Sequence, residues 1–487
     1  MRRPVLAATA GAVLAATLGA CVGPNFHRPT PPKVERFTAE PLPAATTAAP
    51  GPDGAAQRFL SDAELPRRWW TLFGSAPLDA LVDQALAANP SVHAAQAALR
   101  QANELTAAQR GSFLPAVQAG FDASRQQQAT GVLAPNLASG ASIYNLYTPQ
   151  VTVTYVPDLF GANRRLVEAL AAQAEMSRFQ LEATYLTLAA NVVAAAIQEA
   201  GLRAQIAATT RVVDLEREAL AVMRRELELG AIAEADVYAQ DAALANLETT
   251  LPPLQRQWQQ TRDLLAALTG RLPANYDAAP LDLDDLTLPQ DLPLGVPSRL
   301  VERRPDVRAA EAALHSATAS VGVAIADLLP QVTLTGTVGS SATAMSDLFK
   351  AGTGFWSVGA SAAQTLFAGG TLLHRKRAAD AALEQAAATY KATVLTAFQN
   401  VADALHALGT DADALRAAAR AADAAEKSLS VARRQLELGS VSYLGLLTAE
   451  QADQQALVTL AQARAARLAD TAALFQALGG SLAPAGR

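Results

Sequence analysis

The sequence predicts a mainly α-helical protein that carries four β-strands and is built by duplicating one plan. Three observations predict it. Short motifs recur at a nearly constant distance along the 487 residues. Each half contains a proline-free stretch of about 68 residues dominated by Ala, Leu, Gln, Glu and Arg, which lose little side-chain freedom in a helix. Each half also holds a segment poor in charge in which β-branched residues alternate, the period of a strand.

The repeats define the halves. "NPSVHAAQAALRQA" at 89–102 matches "RPDVRAAEAALHSA" at 304–317, with Pro90 and Pro305 standing 215 positions apart. "FLPAV" at 113–117 and "LLPQV" at 328–332 keep the same distance. "LELG" ends one stretch at Gly230 and another at Gly439, 209 positions later. "ALTGRLPA" at 267–274 is echoed by "ALGGSLAPA" at 477–485. The expected boundaries are a first repeat over 67–280, a linker over 281–294, a second repeat over 295–480 and a tail over 481–487.

Within each half the elements follow in one order. A helix opens at a proline, over 90–111 and 305–329, because a first-turn proline lacks only an N–H that would be unpaired. Strands follow at about 116–126 and 147–157, then at about 331–341 and 354–367, with Phe121, Tyr147, Tyr155, Phe355, Trp356 and Phe367 in or near them. The long helices are expected over 162–229 and 371–438, each about 100 Å at 1.5 Å per residue. Leu220, Met223 and Leu227, and the heptad pair Leu429 and Leu436, mark a packing seam. Gly230 and Gly439 stop these helices, as glycine does at a C-terminal cap. Return helices are expected over 236–269 and 444–478. An opening and a return helix together span roughly 85 Å, so stacked end to end they could lie beside one long helix. Such rods suit a conduit better than a globule.

The N-terminus reads as a targeting segment. Arg2 and Arg3 precede a short apolar stretch ending in Leu18-Gly19-Ala20-Cys21. Leu, two small residues and Cys resemble a lipoprotein cleavage site, so residues 1–20 are expected to be removed and Cys21, the chain's single cysteine, to carry lipid. An ordinary signal peptide with a chance cysteine is the alternative. Residues 21–66, rich in Pro, Ala, Thr and Gly, lack the apolar content to fold alone and are expected to form a lipidated tether. No later run of about 20 apolar residues suggests a spanning helix.

Composition excludes other classes. A net charge of −6 offers no basic face for nucleic acid. His27, His93, His315, His374 and His406 make no metal-ligand spacing, and there is no phosphate loop, so neither enzyme, metal site nor cofactor is expected beyond the lipid on Cys21. Four strands cannot close a membrane barrel, which takes at least eight, and an open edge cannot face lipid. The strands are therefore shared between copies of the chain or lie outside the membrane.

At this point the motifs resemble those of the outer membrane efflux protein family, the TolC/NodT-type exit ducts. The resemblance rests on "CVGPNFHRP" at 21–29, "WWTLFGSAPLDALVDQALAANP" at 69–90, "PDLFGANRR" at 157–165, "VPSRLVERRPDVRAAEAAL" at 296–314 and "AFQNVADAL" at 397–405. It covers essentially the whole mature chain. It implies a TolC-like homotrimer whose chains pool four strands each into a 12-stranded outer membrane barrel, continued by a long α-helical periplasmic tunnel. It implies a lipid-anchored protein of a Gram-negative outer membrane that passively conducts drugs or other small molecules. Its partners would be a periplasmic membrane-fusion adaptor and an inner-membrane transporter of the resistance-nodulation-division type. Type I protein secretion, metal efflux and a non-spanning lipid-anchored helical scaffold stay open as alternatives.

The resemblance also gives the double stop a meaning. Leu227, Leu229 and Gly230, with Leu436, Leu438 and Gly439, would mark two periplasmic tips that meet the adaptor; a plain helix stop with a buried leucine is compatible with this. One departure concerns the inner mouth. Where relatives often carry "YLxLLDAQR", this chain has Thr448 in place of the Asp and Gln451 in place of the Arg. Glu450 or Asp453 could supply the missing charge, or Leu447 and its neighbours could close the mouth by packing. A second departure, Val156-Pro157, should end a strand, since proline removes a ladder donor.

Overall fold

In a computed structural model, which describes residues 22–61, 63–127 and 143–479, the chain forms two compact units. The first contains the described parts of Met1–Pro29, Leu99–Met176 and Ala310–Thr389; the second contains those of Thr30–Ala98, Ser177–Ala309 and Tyr390–Arg487.

The first unit holds a four-stranded antiparallel sheet. Its strands β2 (Ala116–Gln127), β3 (Ile143–Tyr155), β5 (Gln331–Ser340) and β6 (Gly354–Ala363) pair in that order. β2 and β3 form the hairpin of the first repeat, in register from Ala116↔Thr154 to Gln127↔Ile143. β5 and β6 form that of the second, from Gln331↔Ala363 to Ser340↔Gly354. The hairpins join through β3 and β5, from Gln150↔Gly339 to Tyr155↔Leu334. β2 and β6 are left as edges. Prolines set the limits. β3 stops at Tyr155, before Val156-Pro157. β5 begins after Pro330, which offers no N–H, so β6 ends opposite it at Ala363 and leaves Leu366 and Phe367 outside the strand, 93% and 88% exposed.

Helices frame each hairpin. α1 (Ala76–Ala88) is capped by Ser75, and α2 (Pro90–Gly111) starts at its proline. α3 (Ala162–Glu228) has 67 residues, about 100 Å of helix, and contributes to both units. Its N-terminus is capped by Asp158, whose carboxylate accepts from the N–H groups of Asn163 and Arg164 at 3.0 and 2.9 Å. The return of the first repeat is broken, against the single helix expected over 236–269. α4 (Glu234–Glu248) ends, and α5 (Leu251–Leu268) begins with Pro252 and Pro253 in its first turn. Two rings there remove two helical donors and crowd the carbonyls of the preceding turn. α6 (Pro297–Arg303) and α7 (Pro305–Ala326) open the second repeat. α7 stops short of 329 because residues ahead of Pro330 disfavour helical backbone. α8 (Thr371–Glu437), again 67 residues, and an unbroken α9 (Tyr443–Leu478) complete it. α3 and α7 each contain one stretch apolar enough to span a bilayer, contrary to the sequence reading; in α3, 72% of that stretch is buried, so its apolarity serves packing.

The second unit is organised around an aromatic core and a buried arginine. Trp69, Phe73 and Phe475 are fully buried, and the Phe475 ring lies 5.7 Å from Trp69 and 6.3 Å from Phe73. Arg467 of α9 is 0% exposed. It donates to the carbonyls of Asp53 and Ala55 at 3.0 and 2.9 Å, to Thr46 Oγ1 at 3.0 Å and to Gln57 Oε1 at 3.4 Å. Gln57 Nε2 in turn donates to Pro289 O and Thr471 Oγ1, both at 3.0 Å. The short β1 (Arg58–Leu60) pairs in parallel with β4 (Asp291–Pro293). The segment expected as a tether is therefore a docked strap. It has no apolar core of its own, as its composition requires, but its backbone carbonyls satisfy a guanidinium that could not otherwise be buried. Close by, burial and the neighbouring Asp470 carboxyl of α9 push the Asp411 carboxyl of α8 up to about 7.

Candidate functional site

The candidate site is the pair of turns that follow the long helices, both in the second unit. They superpose residue for residue at the 209-position offset. α3 ends at Glu228 and α4 starts at Glu234; α8 ends at Glu437 and α9 starts at Tyr443. In the first turn Gly230 N–H donates to Leu227 O at 2.9 Å and Ala231 N–H to Glu226 O at 2.8 Å. In the second Gly439 N–H donates to Leu436 O at 3.0 Å and Ser440 N–H to Gln435 O at 2.8 Å. This is the Schellman arrangement, which satisfies the last helical carbonyls and requires a left-handed residue. Gly230 and Gly439 supply it, with φ of +74° and +69°.

The next helix is capped in complementary ways. In the first turn Asp236 Oδ2 accepts from Ala233 N–H at 3.2 Å. In the second the roles reverse, and Ser442 Oγ accepts from Gly445 N–H at 3.2 Å. The repeats thus divide between them the two bonds of a capping box. An ion pair also spans each turn at matching positions: Arg224–Asp241 at 3.5 Å and Arg433–Glu450 at 3.2 Å. The sequence reading missed these pairs, although the 209-position offset aligns both partners.

The six tip residues divide into two sets. Leu227 packs on a cluster of Val213, Leu220, Met223, Val237 and Leu244, and Leu436 packs on Leu429, Ala432 and Leu446. These half-buried leucines help to hold the hairpins shut, each contributing less than the about 1.5–3 kcal/mol of a fully buried side chain. Leu229 and Leu438 point outward, 70% and 74% exposed. Each "LELG" therefore presents one inward and one outward leucine, and only the outward pair and the glycine backbone offer a contact surface. The turns differ in charge. Over 224–241 five acids accompany two arginines, while the aligned 433–450 has two of each.

The four gate candidates all lie in the first turns of α9. Leu447 is 3% exposed and packs on Leu215 and Ala219 of α3. Glu450 is engaged by Arg433. Asp453 is 8% exposed and accepts from Gln454 Nε2 at 3.2 Å. Thr448 alone is exposed, and its hydroxyl bonds Leu444 O at 3.0 Å within its own helix. Three of the four thus serve the packing and pairing of the chain itself. Cys21 lies outside the described residues. Among those residues no group of His, Cys, Asp and Glu could hold a metal.

Known proteins share this plan. The outer membrane efflux protein family model matches twice, at 81–271 and 296–480, so each repeat is one copy of it. The pyoverdine export outer membrane protein OpmQ of Pseudomonas putida is 29% identical over 444 residues, covering 90% of this chain and 94% of OpmQ. The outer membrane protein OprJ of Pseudomonas aeruginosa is 29% identical over 489 residues, covering 99% and 97%. The solved outer-membrane channel OprN is 29% identical with a TM-score of 0.80, covering 96% of this chain and all of that one. With a duplicated match over most of its length, the same strand-and-long-helix plan and relatives spanning the whole chain, this protein belongs to the outer membrane efflux protein family.

Proposed function

We propose that three copies of this chain assemble into the exit duct of a tripartite efflux pump of the resistance-nodulation-division type. The observation that carries this reading is the sheet. Four strands end in two edges, β2 and β6, with no partner among the described residues. An outer membrane protein cannot leave such edges in lipid, and a four-stranded sheet is half the smallest bacterial barrel. Pairing β2 of one chain with β6 of the next closes a ring of 12 strands from three chains and leaves no edge. The pore is passive: solute handed on by the inner-membrane transporter leaves through the barrel.

The paired turns are the adaptor contact. Leu229 and Leu438 are large apolar groups held in water on rigid, capped turns, a cost that a docking partner offsets. Cys21 carries the lipid that holds the mature N-terminus at the outer membrane. Cysteines placed on β2 and β6 test the ring. Oxidation of intact membranes should give a cross-linked ladder that ends at three chains. Cross-linking within one chain alone would refute the shared barrel.

A further inference from the structure

The residues that follow Cys21 are seated on the first unit by a site built for them. Val22 N–H donates to Phe160 O at 3.3 Å, at the junction of β3 and α3. Arg165, in the first turn of α3 and 4% exposed, reads the peptide with three donations. Nε reaches Val22 O at 3.2 Å, and Nη2 reaches Gly23 O at 3.4 Å and Asn25 Oδ1 at 2.7 Å. Its Nη1 is held by Glu168 at 2.8 Å, and the other oxygen of Glu168 lies 2.9 Å from His315 Nε2 of α7. The His315 ring stacks on Phe26, with centroids 4.3 Å apart and planes at 14°. Arg28 closes the row on Glu311 at 3.0 Å.

Shape is matched as closely as charge. Gly23 adopts φ +94°, and a Cβ there would lie 2.5 Å from Gly322 Cα. A Cβ on Gly322 would lie 2.9 Å from Arg165 Cγ. The backbone of the peptide thus touches the backbone of α7 where both lack side chains, and the guanidinium fills the space beside them. Three of the four acceptors of Arg165 named above belong to the peptide. Without it, a nearly buried guanidinium would lose most of its partners, which is costly for a charge. The site is therefore incomplete without the N-terminal segment.

We propose that Arg165, Glu168, His315, Glu311 and Gly322 form a recognition site for the chain's own residues 22–28. Its role is to fix the level of Cys21 against the base of the strand sheet. Val22, the residue that follows Cys21 in the sequence, is itself tied to Phe160. A group attached to Cys21 is then held at the strand–helix junction rather than on a free tether. The seat stands on the geometry alone; its meaning as a lipid-positioning device rests on the lipidation proposed above.

The test uses the full-length protein in detergent. Hydrogen exchange is followed over residues 22–28 in the wild type and in Gly322→Ala. Alanine is the better helix former, so α7 itself is not loosened. Exchange of the Val22 amide, which is bonded to Phe160 O, should rise at least tenfold in Gly322→Ala, with exchange in the body of α7 unchanged. A labelled synthetic peptide of residues 22–28 should also bind a full-length variant whose own 22–28 are replaced by Gly and Ser, and should lose that binding when Gly322→Ala is added. Unchanged exchange in Gly322→Ala, or no peptide binding, overturns the seat. Mass spectrometry of the N-terminal fragment reports the acyl group separately. Protected amides on an unacylated chain leave the seat standing and overturn the lipid role; an acylated chain with unprotected amides overturns the seat.

Discussion

Charge placed at the two stop glycines should abolish efflux while leaving the assembled protein in the membrane. The perturbation is the double substitution Gly230→Asp and Gly439→Asp. Both glycines sit in the left-handed region, which costs an ordinary residue about 1–2 kcal/mol, with Asp near the lower end. A Cβ at either position meets no atom within 4 Å, so the local costs are backbone strain and the repulsion of a carboxylate by the helix C-terminus, about 0.3–1 kcal/mol each at an exposed site. The sum is about 3–5 kcal/mol for the pair. Each turn keeps its two backbone bonds, worth about 1 kcal/mol apiece. Each also keeps its leucine cluster, in which a single buried side chain contributes as much as the strain removes. The hairpins should therefore persist. What changes is the surface: two carboxylates beside Leu229 and Leu438, the outward leucines. The assay is drug resistance in a strain lacking its own outer membrane channel, alongside the amount of cross-linked trimer. Resistance should fall to that of the empty strain with trimer unchanged. Full resistance in the double variant would refute the assignment of these turns as the adaptor contact. Loss of trimer would refute the energetic reasoning.

Other expectations follow from the same structure. Asp411 binds its proton more tightly folded than unfolded, so its stabilising contribution is complete below about pH 4 and is lost as pH rises through about 7. Asp411→Asn should remove that slope, worth about 2 kcal/mol after allowing for partial exposure, in thermal melts across pH 4–8; an identical slope in the variant would contradict the pairing with Asp470. Arg467→Ala strips the strap of its central donor and should cost about 3–5 kcal/mol, freeing residues 46–57 to proteolysis, whereas Arg58→Ala, which breaks an exposed pair with Asp291, should cost under about 1 kcal/mol. Cys21→Ser should still yield membrane-inserted trimer, because pooled strands rather than lipid close the barrel; loss of all inserted protein would show that acylation is required for assembly.

Much of the fold was legible because the chain states its plan twice. The paired "LELG" stops place both helix ends, and the 209-position offset carries through to the helix starts at Glu234 and Tyr443. Alternation marked the strands because one residue in two faces each side of a sheet. What stayed hidden depends on partners distant in sequence. The docking of 46–57 hangs on Arg467, over 400 positions away, and no local pattern marks a buried arginine. The break at Thr249 was available in Pro252-Pro253 but was masked by the strong helical composition on either side. At the site, glycine and leucine spacing gave the turns, whereas which leucine faces inward is set by α4 and α9 folding back. Nor does any local pattern show that Leu447 packs on α3 or that Glu450 pairs with Arg433, since both contacts form only when the return helix folds back.

The most direct test of the central claim is the mass of the full-length protein in detergent, by light scattering corrected for bound detergent. A chain of 50.6 kDa whose strands are pooled should give a single species of three chains. A monodisperse monomer would leave β2 and β6 without partners, which no outer membrane barrel allows, and would contradict the shared-barrel account.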